Sequence, residues 1–378
     1  MYNNIKFQYI GPNFVGEKIA ILNSHQSKYP VGNDKWIIKI NEIVKESIEN
    51  NNIILSSLEL NTYEILIYLT KIYNGTQIII IPYFKNQDTQ KIIDYLVSQF
   101  LININKTGFL FFSINIDKKF HKIAWKIRDE IIIKEADIIY PISIRENGFL
   151  DTLLKNNYNK IIDNKYRINF TKPIYELEKP PKIEEIKEFN NWNYLTHWTS
   201  SLFAPYPNET LFDFYQSILN SKNIYSHNAF NTLINILKTK IIIANNKIIK
   251  GKYNVISFTE NNPKETIKFM LWRNNRFRYN YEPYGIAINK DYLIKIGAKK
   301  VIYENNTNFN QLNEEEKPFF QYYGKDKRWQ FENEWRYLGN LNIENIPKQN
   351  ILILVKTEKE KKYIKENFNE YNVECLLK

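Results

Sequence analysis

The first 165 residues alternate short apolar runs with longer segments in which apolar residues recur every three or four positions. Lys18–Asn23 (KIAILN) is one apolar run, and Trp36–Ile48 then shows helical spacing. Ile53–Leu55 begins the next pair, and the pattern continues to Ile138–Ile142. Strands separated by amphipathic helical segments are typical of a parallel sheet with helices on both faces. The pattern therefore predicts an α/β domain over residues 1–165.

A segment marked by prolines interrupts this alternation at residues 166–192. Pro180 and Pro181 lie in the charged run ELEKPPKIEEIKEF, and Pro173 precedes that run. Proline has no backbone N–H and favours extended geometry in the residue before it, so regular elements tend to end there. We therefore predict a proline-containing linker at residues 166–192.

The remaining residues, 193–378, show a different order of elements. Glu209–Asn220 and Ala229–Lys238 have helical spacing, and most of the apolar runs that follow them are short. Early helices followed by many strands are typical of an α+β domain. A chain of 378 residues also suits two domains better than one.

Composition narrows the class of protein. A hydrophobic content of 43% and an aromatic content of 15% indicate packed globular structure. The single cysteine, Cys375, excludes an intramolecular disulfide and indicates a reducing compartment. No secretory signal is visible, and the apolar runs are far shorter than the ~20 residues that cross a bilayer. We therefore expect a cytoplasmic protein with no membrane partner.

The net charge of +11 admits two interpretations. Clustered Lys and Arg side chains neutralise phosphates, so DNA or RNA is one candidate partner. The same residues occur with many Ile, Asn and Tyr residues, which is the composition that an AT-rich coding sequence imposes. The charge alone therefore leaves a nucleic-acid partner open.

Common cofactor and metal motifs do not occur in the sequence. Neither G-x-G-x-x-G nor G-x-x-x-x-G-K-[ST] is found, which excludes two widespread phosphate-binding loops. The four histidines and one cysteine show no metal-ligand spacing, so we expect no metal site. Any chemistry must come from residues dispersed along the chain.

Small hydroxylic residues follow the first two predicted strands. In an open parallel sheet, ligands bind beyond the carboxyl ends of the strands. Ser24 and Ser57 lie at such ends, where backbone N–H groups and helix N-termini attract phosphate. The alternative is that both serines only cap the helices that follow them.

The pairs Arg128-Asp129 and Ala136-Asp137 and the run at 143–148 (SIRENG), together with the segments NSHQSKYPVGNDKW and SSLELNTYE, resemble the DprA/LOG-like (SLOG) superfamily, which includes the DNA-processing protein DprA and the LOG cytokinin-activating enzymes. The resemblance covers about residues 15–160. It implies a Rossmann-like fold that binds a nucleotide-derived ligand. Some members release a base from a nucleoside monophosphate, but IRENGFLDTLL replaces their P-G-G-x-G-T-x-x-E element. The resemblance therefore favours ligand sensing over glycosidic cleavage.

Two arginines in this half are the expected phosphate contacts. Arg128 precedes Asp129, and Arg145 precedes Glu146. A guanidinium group matches a phosphate with two parallel hydrogen bonds, which a lysine does not reproduce. The alternative is that each arginine forms an ion pair with its acidic neighbour.

Three separated motifs in the second half carry candidate catalytic side chains. His197 lies in YLTHWT, Ser257 in VISFTE, and Glu332 and Glu334 in FENEWR. If FENEWR is a strand, both carboxylates face one side. Two carboxylates on one face repel each other, which is costly unless they bind a cation or share a proton. A carboxylate can also stabilise the oxocarbenium-like state through which a ribosyl group passes when it is cleaved from nicotinamide. The alternatives are a core histidine and a structural network of the two glutamates with arginines.

The order His, Ser, Glu-x-Glu on separate strands resembles the ADP-ribosyltransferase fold. The run VISFTE…YGIAINKDYL…GAKKVIY…FENEWRYLG is similar to a bacterial family of unknown function related to DarT-type ADP-ribosyltransferases. This resemblance spans about residues 192–345 and implies that NAD is a substrate.

The same resemblance implies a role for each candidate residue. Glu334 is the expected catalytic carboxylate, Glu332 its substrate-orienting partner, and Ser257 shapes the pocket. The residues expected to bind the NAD are His197, as a hydrogen-bond donor to a ribose, together with Thr199 and Tyr284.

The sequence therefore predicts a Rossmann-like domain followed by an α+β ADP-ribosyltransferase-like domain at residues 193–378. Together they would form a sensor–effector with a nucleotide-derived ligand at the first domain and an NAD-consuming transferase or glycohydrolase in the second. The resemblance associates such proteins with antiviral defence or toxin activity, and a homo-oligomer is compatible with it. Two alternatives stay open: a non-catalytic nucleic-acid-binding protein that uses the loop WRNNRFRYNYEPYG, and a nucleoside-monophosphate glycosidase acting through the N-terminal domain.

Overall fold

The structure, a computed structural model, describes residues 5–84, 87–113, 121–157, 159–173, 177–323 and 328–378. The chain forms two compact units, each discontinuous in sequence. The first unit consists of Met1–Tyr175 and Asn208–Ser226. The second consists of Glu176–Pro207 and His227–Lys378.

The first unit is built on one sheet with helices packed against it. Its strands are Lys6–Ile10 (β1), Lys18–Asn23 (β2), Ile53–Ser56 (β3), Thr76–Tyr83 (β4), Thr107–Ser113 (β5), Ile138–Ser143 (β6) and Ile161–Ile162 (β7). Its helices are Lys35–Glu49 (α1), Asn61–Ile72 (α2), Thr89–Phe100 (α3), His121–Glu135 (α4), Phe149–Asn156 (α5) and Leu211–Asn220 (α6).

The seven strands follow the order β1-β5-β4-β3-β2-β6-β7. β1 is antiparallel to β5, and the other neighbours are parallel. The central strands are buried along almost their whole length, as expected where helices cover both faces of a parallel sheet. The predicted α/β domain with a parallel sheet is confirmed. The strand order reverses at β2, so the carboxyl ends of β2 and β6 form the expected ligand crevice.

Helix α6 belongs to the first unit, although its sequence position falls within the predicted domain 193–378. Its buried residues Phe214, Tyr215 and Ile218 join the apolar core of the first unit. The Tyr215 hydroxyl donates to Glu64 Oε2 at 2.5 Å, and its ring stacks on Phe100. The amphipathic pattern predicted a helix here correctly, but a local pattern does not show which core the apolar face will join.

The predicted linker, 166–192, is divided between the two units. In its first part, the Ile168 N–H donates to the Ile142 carbonyl at the end of β6. In its last part, Ile186 is fully buried and forms a β-bridge with Leu377. Residues 174–176 of the predicted linker lie outside the described residues. The segment is therefore used by both folds, because it carries apolar anchors as well as prolines.

The second unit contains a larger number of short elements. Its strands are Tyr194–Trp198 (β8), Ile241–Ile242 (β9), Val255–Thr259 (β10), Trp272–Arg273 (β11), Arg278–Tyr279 (β12), Gly285–Asn289 (β13), Lys299–Lys300 (β14), Ile302–Glu304 (β15), Phe320–Tyr322 (β16), Glu334–Leu338 (β17), Leu341–Asn342 (β18), Ile351–Val355 (β19) and Asn372–Cys375 (β20). Its helices are Ala229–Thr239 (α7), Pro263–Thr266 (α8), Lys290–Lys295 (α9) and Glu358–Asn367 (α10).

The main sheet of the second unit has the order β14-β17-β10-β8-β13-β19-β20. Its neighbours are antiparallel except β19 and β20. One apolar core contains Ile256, Phe258 and Ile286, and a smaller one contains Trp198 and Ala287. Alternate residues of β13 thus face different cores, with Ile286 in the larger and Ala287 in the smaller. This mostly antiparallel sheet with helices fits the α+β prediction.

Candidate active site

Three adjacent strands of the second sheet carry the motifs that the sequence singled out. β8, β10 and β17 hold His197, Ser257 and Glu334, and they are neighbours in the order β17-β10-β8. β10 and β17 pair with Ser257 opposite Arg336 and Thr259 opposite Glu334. β8 pairs with β10 through Thr196 and Thr259.

Ser257 links the other two candidate residues. Its hydroxyl donates to Glu334 Oε1 at 2.7 Å. Its backbone carbonyl oxygen lies 3.0 Å from His197 Nδ1. The structure therefore brings Ser257, Glu334 and His197 together, with the first contact made by the serine side chain and the second by its backbone.

Glu334 is also held by a buried arginine on its own strand. Arg336 Nε donates to Glu334 Oε1 at 2.8 Å, and Arg336 Nη2 donates to Oε2 at 3.3 Å. The remaining Arg336 hydrogens bind the Pro318 and Phe320 carbonyls and Gln321 Oε1, at 2.7–3.1 Å. The alternative of a structural ion pair is therefore realised for Glu334, and it fixes the carboxylate in one orientation.

Glu332 does not lie on the strand that was expected to carry both carboxylates. Residues Arg328–Glu332 form a 3-10 turn, Asn333 has a φ of 45°, and β17 begins at Glu334. The inference that strand alternation aligns the two carboxylates is therefore wrong at Glu332. Burial and then the Glu334 charge raise the Glu332 pKa to about 7, against an opposing effect of Arg273.

Two tyrosines that the sequence did not associate with the two carboxyl groups complete their surroundings. Burial, Glu332 and Glu334 together raise the pKa of Tyr281. Burial and Glu334 raise the pKa of Tyr303, whose hydroxyl oxygen accepts from the Glu334 N–H at 3.3 Å. The aromatic-rich loop after WRNNRFR was a signal for Tyr281, but nothing local in the sequence places Tyr303 beside Glu334.

The hydrogen bond of His197 indicates its tautomer. A carbonyl oxygen only accepts, so Nδ1 donates its hydrogen to Ser257. Burial lowers the pKa of His197, which favours the neutral imidazole. Nε2 then carries a lone pair and acts as an acceptor. In a contact with ribose, the sugar hydroxyl would therefore donate to His197 Nε2, whereas the sequence predicted that His197 donates to the ribose.

The two other residues predicted to bind NAD have partners within the fold. The Thr199 hydroxyl lies 2.8 Å from the Ala229 carbonyl oxygen and 3.1 Å from the Tyr284 carbonyl oxygen. The Tyr284 hydroxyl donates to Glu360 Oε1 at 2.9 Å, and its ring is part of the larger core. Both side chains are buried, so the structure gives them a packing role.

The basic-aromatic loop forms a hairpin, with β11 paired to β12. Arg273 Nε donates to Asn280 Oδ1, and Trp272 packs edge-on against Tyr279. Arg276 at the turn is exposed, and Phe277 beside it is also exposed. Side-chain contacts thus hold the paired strands of the hairpin together, and its turn exposes a cationic residue, Arg276, and an aromatic one, Phe277.

In the first unit, Ser24 and Arg145 lie side by side at the crevice between β2 and β6. The Arg145 N–H donates to Ser24 Oγ at 2.9 Å, and the Ser24 N–H donates to the Ser143 carbonyl. Ser24 does not cap α1, because Asp34 occupies that position. A cavity of about 380 Å³ is lined by Ser24, His25, Arg145, Phe170, Lys172 and Pro173. Its cationic groups suit an anionic ligand.

Ser57 and Arg128 are not available to a ligand, and these two assignments are corrected. Ser57 is fully buried, and its hydroxyl donates to the Ile80 carbonyl at 2.6 Å. Arg128 is 1% exposed, and it donates to Asp129 Oδ1 and to the Leu58 carbonyl. The ion pair with Asp129, considered as the alternative, is present and buried. A phosphate role for Arg128 in a glycosidase is therefore not supported.

Within the described part of the chain, no group of three or more His, Cys, Asp and Glu side chains is arranged to hold a metal ion. Among the described helices, none has the length and apolar character that crossing a bilayer requires.

Comparison with solved structures gives three partial likenesses. DNA processing protein A from Helicobacter pylori, described with its single-stranded DNA binding mode, matches at a TM-score of 0.30 and 16% identity over 41% of this chain and 69% of that chain. DNA processing protein A (DprA) from Streptococcus pneumoniae matches at 0.30 and 14%, over 41% of this chain and 53% of that chain. The molybdenum cofactor carrier protein from Chlamydomonas reinhardtii matches at 0.26 and 13%, over 39% and 75%. No protein-family model and no curated protein sequence matches the chain.

Proposed function

We propose that the second unit cleaves the bond between nicotinamide and ribose in NAD and transfers ADP-ribose to an acceptor or to water. The observation that carries this proposal is the fixed Glu334 carboxylate, bound by Ser257 and Arg336. Nearby, burial and then the Glu334 charge raise the Glu332 pKa to about 7. Preorganised charge of this kind stabilises a transition state without reorganising at the moment of reaction.

The first half of the proposed reaction breaks the glycosidic bond of NAD. The bond from the ribose C1′ to the nicotinamide nitrogen breaks, and its electron pair leaves with neutral nicotinamide. The ribose then carries oxocarbenium-like positive charge, which the Glu334 carboxylate stabilises. Glu334 Oε2 has the longer arginine contact, 3.3 Å, so it is the oxygen better able to bind a ribose hydroxyl.

Glu332 suits the second half of the reaction. An acceptor hydroxyl or a water molecule attacks C1′ and must lose a proton as the new C–O bond forms. With a pKa of about 7, Glu332 is partly ionised at neutral pH and takes up that proton. His197 Nε2, as an acceptor, holds a second hydroxyl of the dinucleotide.

The direct experiment incubates the full chain with NAD and measures released nicotinamide by chromatography. Release that depends on the protein and falls when Ser257 is changed to Ala supports the proposal, because Ser257→Ala removes one donor from Glu334. Absence of release over a broad range of pH and candidate acceptors would contradict it. Ser217→Ala, which removes a hydroxyl from α6 in the first unit, is the matched control.

For the first unit, we propose that the cavity beside Ser24 binds an anionic, nucleotide-derived ligand and that its occupancy controls the second unit. The cavity lies at the strand-order reversal of a parallel sheet, and Arg145, His25 and Lys172 line it. Calorimetric titration with a panel of nucleotides tests the binding, and nicotinamide release in their presence tests the control. A role in defence or toxicity stays a prediction from the resemblance.

The exposed tip of the β11–β12 hairpin favours one second candidate function, nucleic-acid binding without catalysis. Arg276 and Phe277 offer a phosphate contact and a stacking surface. Binding of single-stranded DNA or RNA that weakens steeply with salt, in a protein that releases no nicotinamide, would support this function over the first.

A further inference from the structure

The turn that carries Glu332 is bound to the end of β10 through three successive backbone carbonyls. Asn261 Nδ2 donates to the Phe331 carbonyl at 2.7 Å. The Thr259 hydroxyl donates to the Glu332 carbonyl at 2.6 Å. The Glu260 N–H donates to the Asn333 carbonyl at 3.1 Å. Each peptide on the amino and carboxyl side of Glu332 is therefore tied to the same neighbouring segment.

Further side-chain hydrogen bonds join the turn to the segment that follows β10. Asn333 Nδ2 donates to Asn261 Oδ1 at 2.7 Å, so Asn261 both donates to the turn and accepts from it. The Asn261 N–H donates in turn to Thr259 Oγ1 at 3.2 Å. Asn333 has a φ of 45°, a left-handed conformation that asparagine tolerates better than most residues. Thr259 and Asn261 are 7% and 8% exposed, so water competes little for these bonds.

We propose that Thr259 and Asn261 are positioning residues, which hold the backbone of the turn at Glu332 beside the start of β17 and so prepare the Glu332 carboxyl group to accept the proton of the attacking acceptor. This inference rests on the proposed NAD-cleaving function for its catalytic consequence. The positioning itself is a property of the free protein and is tested separately.

The geometry explains why the turn needs such restraint. β17 begins only at Glu334, so the sheet ladder does not fix Glu332. Repulsion between the two carboxyl groups favours movement of Glu332 toward solvent, where burial and repulsion would both decrease. The charged and titratable groups that face Glu332 are Glu334 from β17, Arg273 from β11, and Tyr281 and Tyr303 from the adjoining loop and β15. The three carbonyl bonds oppose the movement.

The test compares Thr259→Val with Thr259→Ser in the full chain. Valine keeps the shape of threonine and removes the hydroxyl, whereas serine keeps the hydroxyl. Carbon-13 NMR of protein labelled in its glutamate carboxyl groups, assigned with Glu332→Gln, measures the pKa of Glu332 without any substrate. We expect Thr259→Val to lower that pKa from about 7 toward the usual value of 4.5, and Thr259→Ser to restore it.

Two further variants keep the inference open to refutation if Thr259→Val does not fold. Asn261→Leu, which is close to asparagine in size and adds no charge, loses both the donor to Phe331 and the acceptor for Asn333, so it should also lower the Glu332 pKa. Thr232→Val removes a hydroxyl on α7 that binds the Ser200 and Asn228 carbonyls, and it should leave that pKa unchanged. An unchanged Glu332 pKa in Thr259→Val and Asn261→Leu overturns this assignment of Thr259 and Asn261.

Kinetics then separate the inference from the proposed function. If the wild-type chain releases nicotinamide, Thr259→Val should reduce kcat by about tenfold to a hundredfold with little change in KM, because small misplacement of a reacting group costs rate more than binding. Its pH–rate profile should shift its lower limb toward acid. If neither the wild type nor any variant releases nicotinamide, the proposed function fails. The NMR result still decides whether Thr259 and Asn261 position Glu332.

Discussion

The Ser257 hydroxyl donates to Glu334 Oε1 at 2.7 Å, across 77 residues of sequence. The bond joins the motifs VISFTE and ENEWR, because β10 and β17 are antiparallel neighbours in one sheet. Arg336, which faces Ser257 in the ladder, donates to the same oxygen at 2.8 Å. A carboxylate that two rigid strands hold in this way is suited to electrostatic work on a bound substrate.

Arg336 is expected to be essential for the stability of the second unit. Arg336→Met leaves Glu334 without its arginine and the Pro318 and Phe320 carbonyls without their donor. Removing one partner of a buried ion pair costs about 3–5 kcal/mol, so the free energy of unfolding should fall by that order. Chemical denaturation followed by tryptophan fluorescence measures it. Arg276→Met, at an exposed position, should change stability by less than about 0.5 kcal/mol, and a similar loss in both variants would contradict this account.

Glu332 should make stability depend on pH between about 4.5 and about 7. Its pKa is raised in the folded protein, so the folded chain binds more protons than the unfolded chain in this window. The contribution of Glu332 to the free energy of unfolding is therefore fully present below pH 4.5 and is lost as the pH rises through 7. The loss is on the order of 2 kcal/mol after allowance for partial exposure.

Denaturation of the wild type and of Glu332→Gln at pH 5 and pH 8 tests this dependence. Glutamine does not titrate, so the variant should lose less stability between the two pH values than the wild type does. Glu344→Gln changes an exposed glutamate in the same unit and serves as the control. Equal losses in wild type and Glu332→Gln would show that Glu332 titrates normally.

The two ring nitrogens of His197 should be separable by substitution. The amide of asparagine reaches about as far as Nδ1, so His197→Asn retains a donor for the Ser257 carbonyl and loses the acceptor at Nε2. We expect a folded variant with an unchanged melting temperature, within about 2 °C, and a KM for NAD raised roughly tenfold. Thermal denaturation and nicotinamide release measure the two effects. A normal KM in this variant would exclude a substrate contact by His197 Nε2.

In the first unit, Arg145 and Arg128 should behave differently. Arg145 is exposed at the cavity, so Arg145→Gln should weaken binding of an anionic nucleotide by roughly tenfold and leave stability almost unchanged. Arg128 is buried with Asp129, so Arg128→Gln should lower the free energy of unfolding by about 3 kcal/mol. Calorimetric titration and denaturation of both variants measure this. A loss of ligand binding in a stable Arg128→Gln protein would contradict the assignment.

The sequence predicted the parallel sheet well because strand and helix periods alternate along the chain. It predicted less of the crevice chemistry. Ser24 and Arg145 are 121 residues apart, and their contact depends on β2 and β6 being neighbours, which no local pattern encodes. Ser57 and Arg128 carry the same residue types as a phosphate site, but their partners Ile80 and Asp129 use their hydrogen bonds.

In the second unit, the strands that carry His197, Ser257 and Glu334 were predicted, and their adjacency follows from the sheet order. The position of Glu332 was not predictable from strand alternation. The left-handed Asn333 separates Glu332 from β17, which begins only at Glu334. The hydrogen bonds of Thr259 and Asn261 to the turn at Glu332 were not predictable from local sequence either, since they join residues 70–73 positions apart. Helix α6 shows the same limit, because its Tyr215 reaches Glu64 across 151 residues.

The most direct measurement is the rate of nicotinamide release at saturating NAD by the wild type, Glu334→Gln and Glu344→Gln. Glutamine keeps the size of Glu334 and its acceptor for Ser257, and it removes the negative charge. We expect Glu334→Gln to lose about a hundredfold to a thousandfold in kcat while still binding NAD, and Glu344→Gln to keep the wild-type rate. Equal release by Glu334→Gln and the wild type would contradict this expectation.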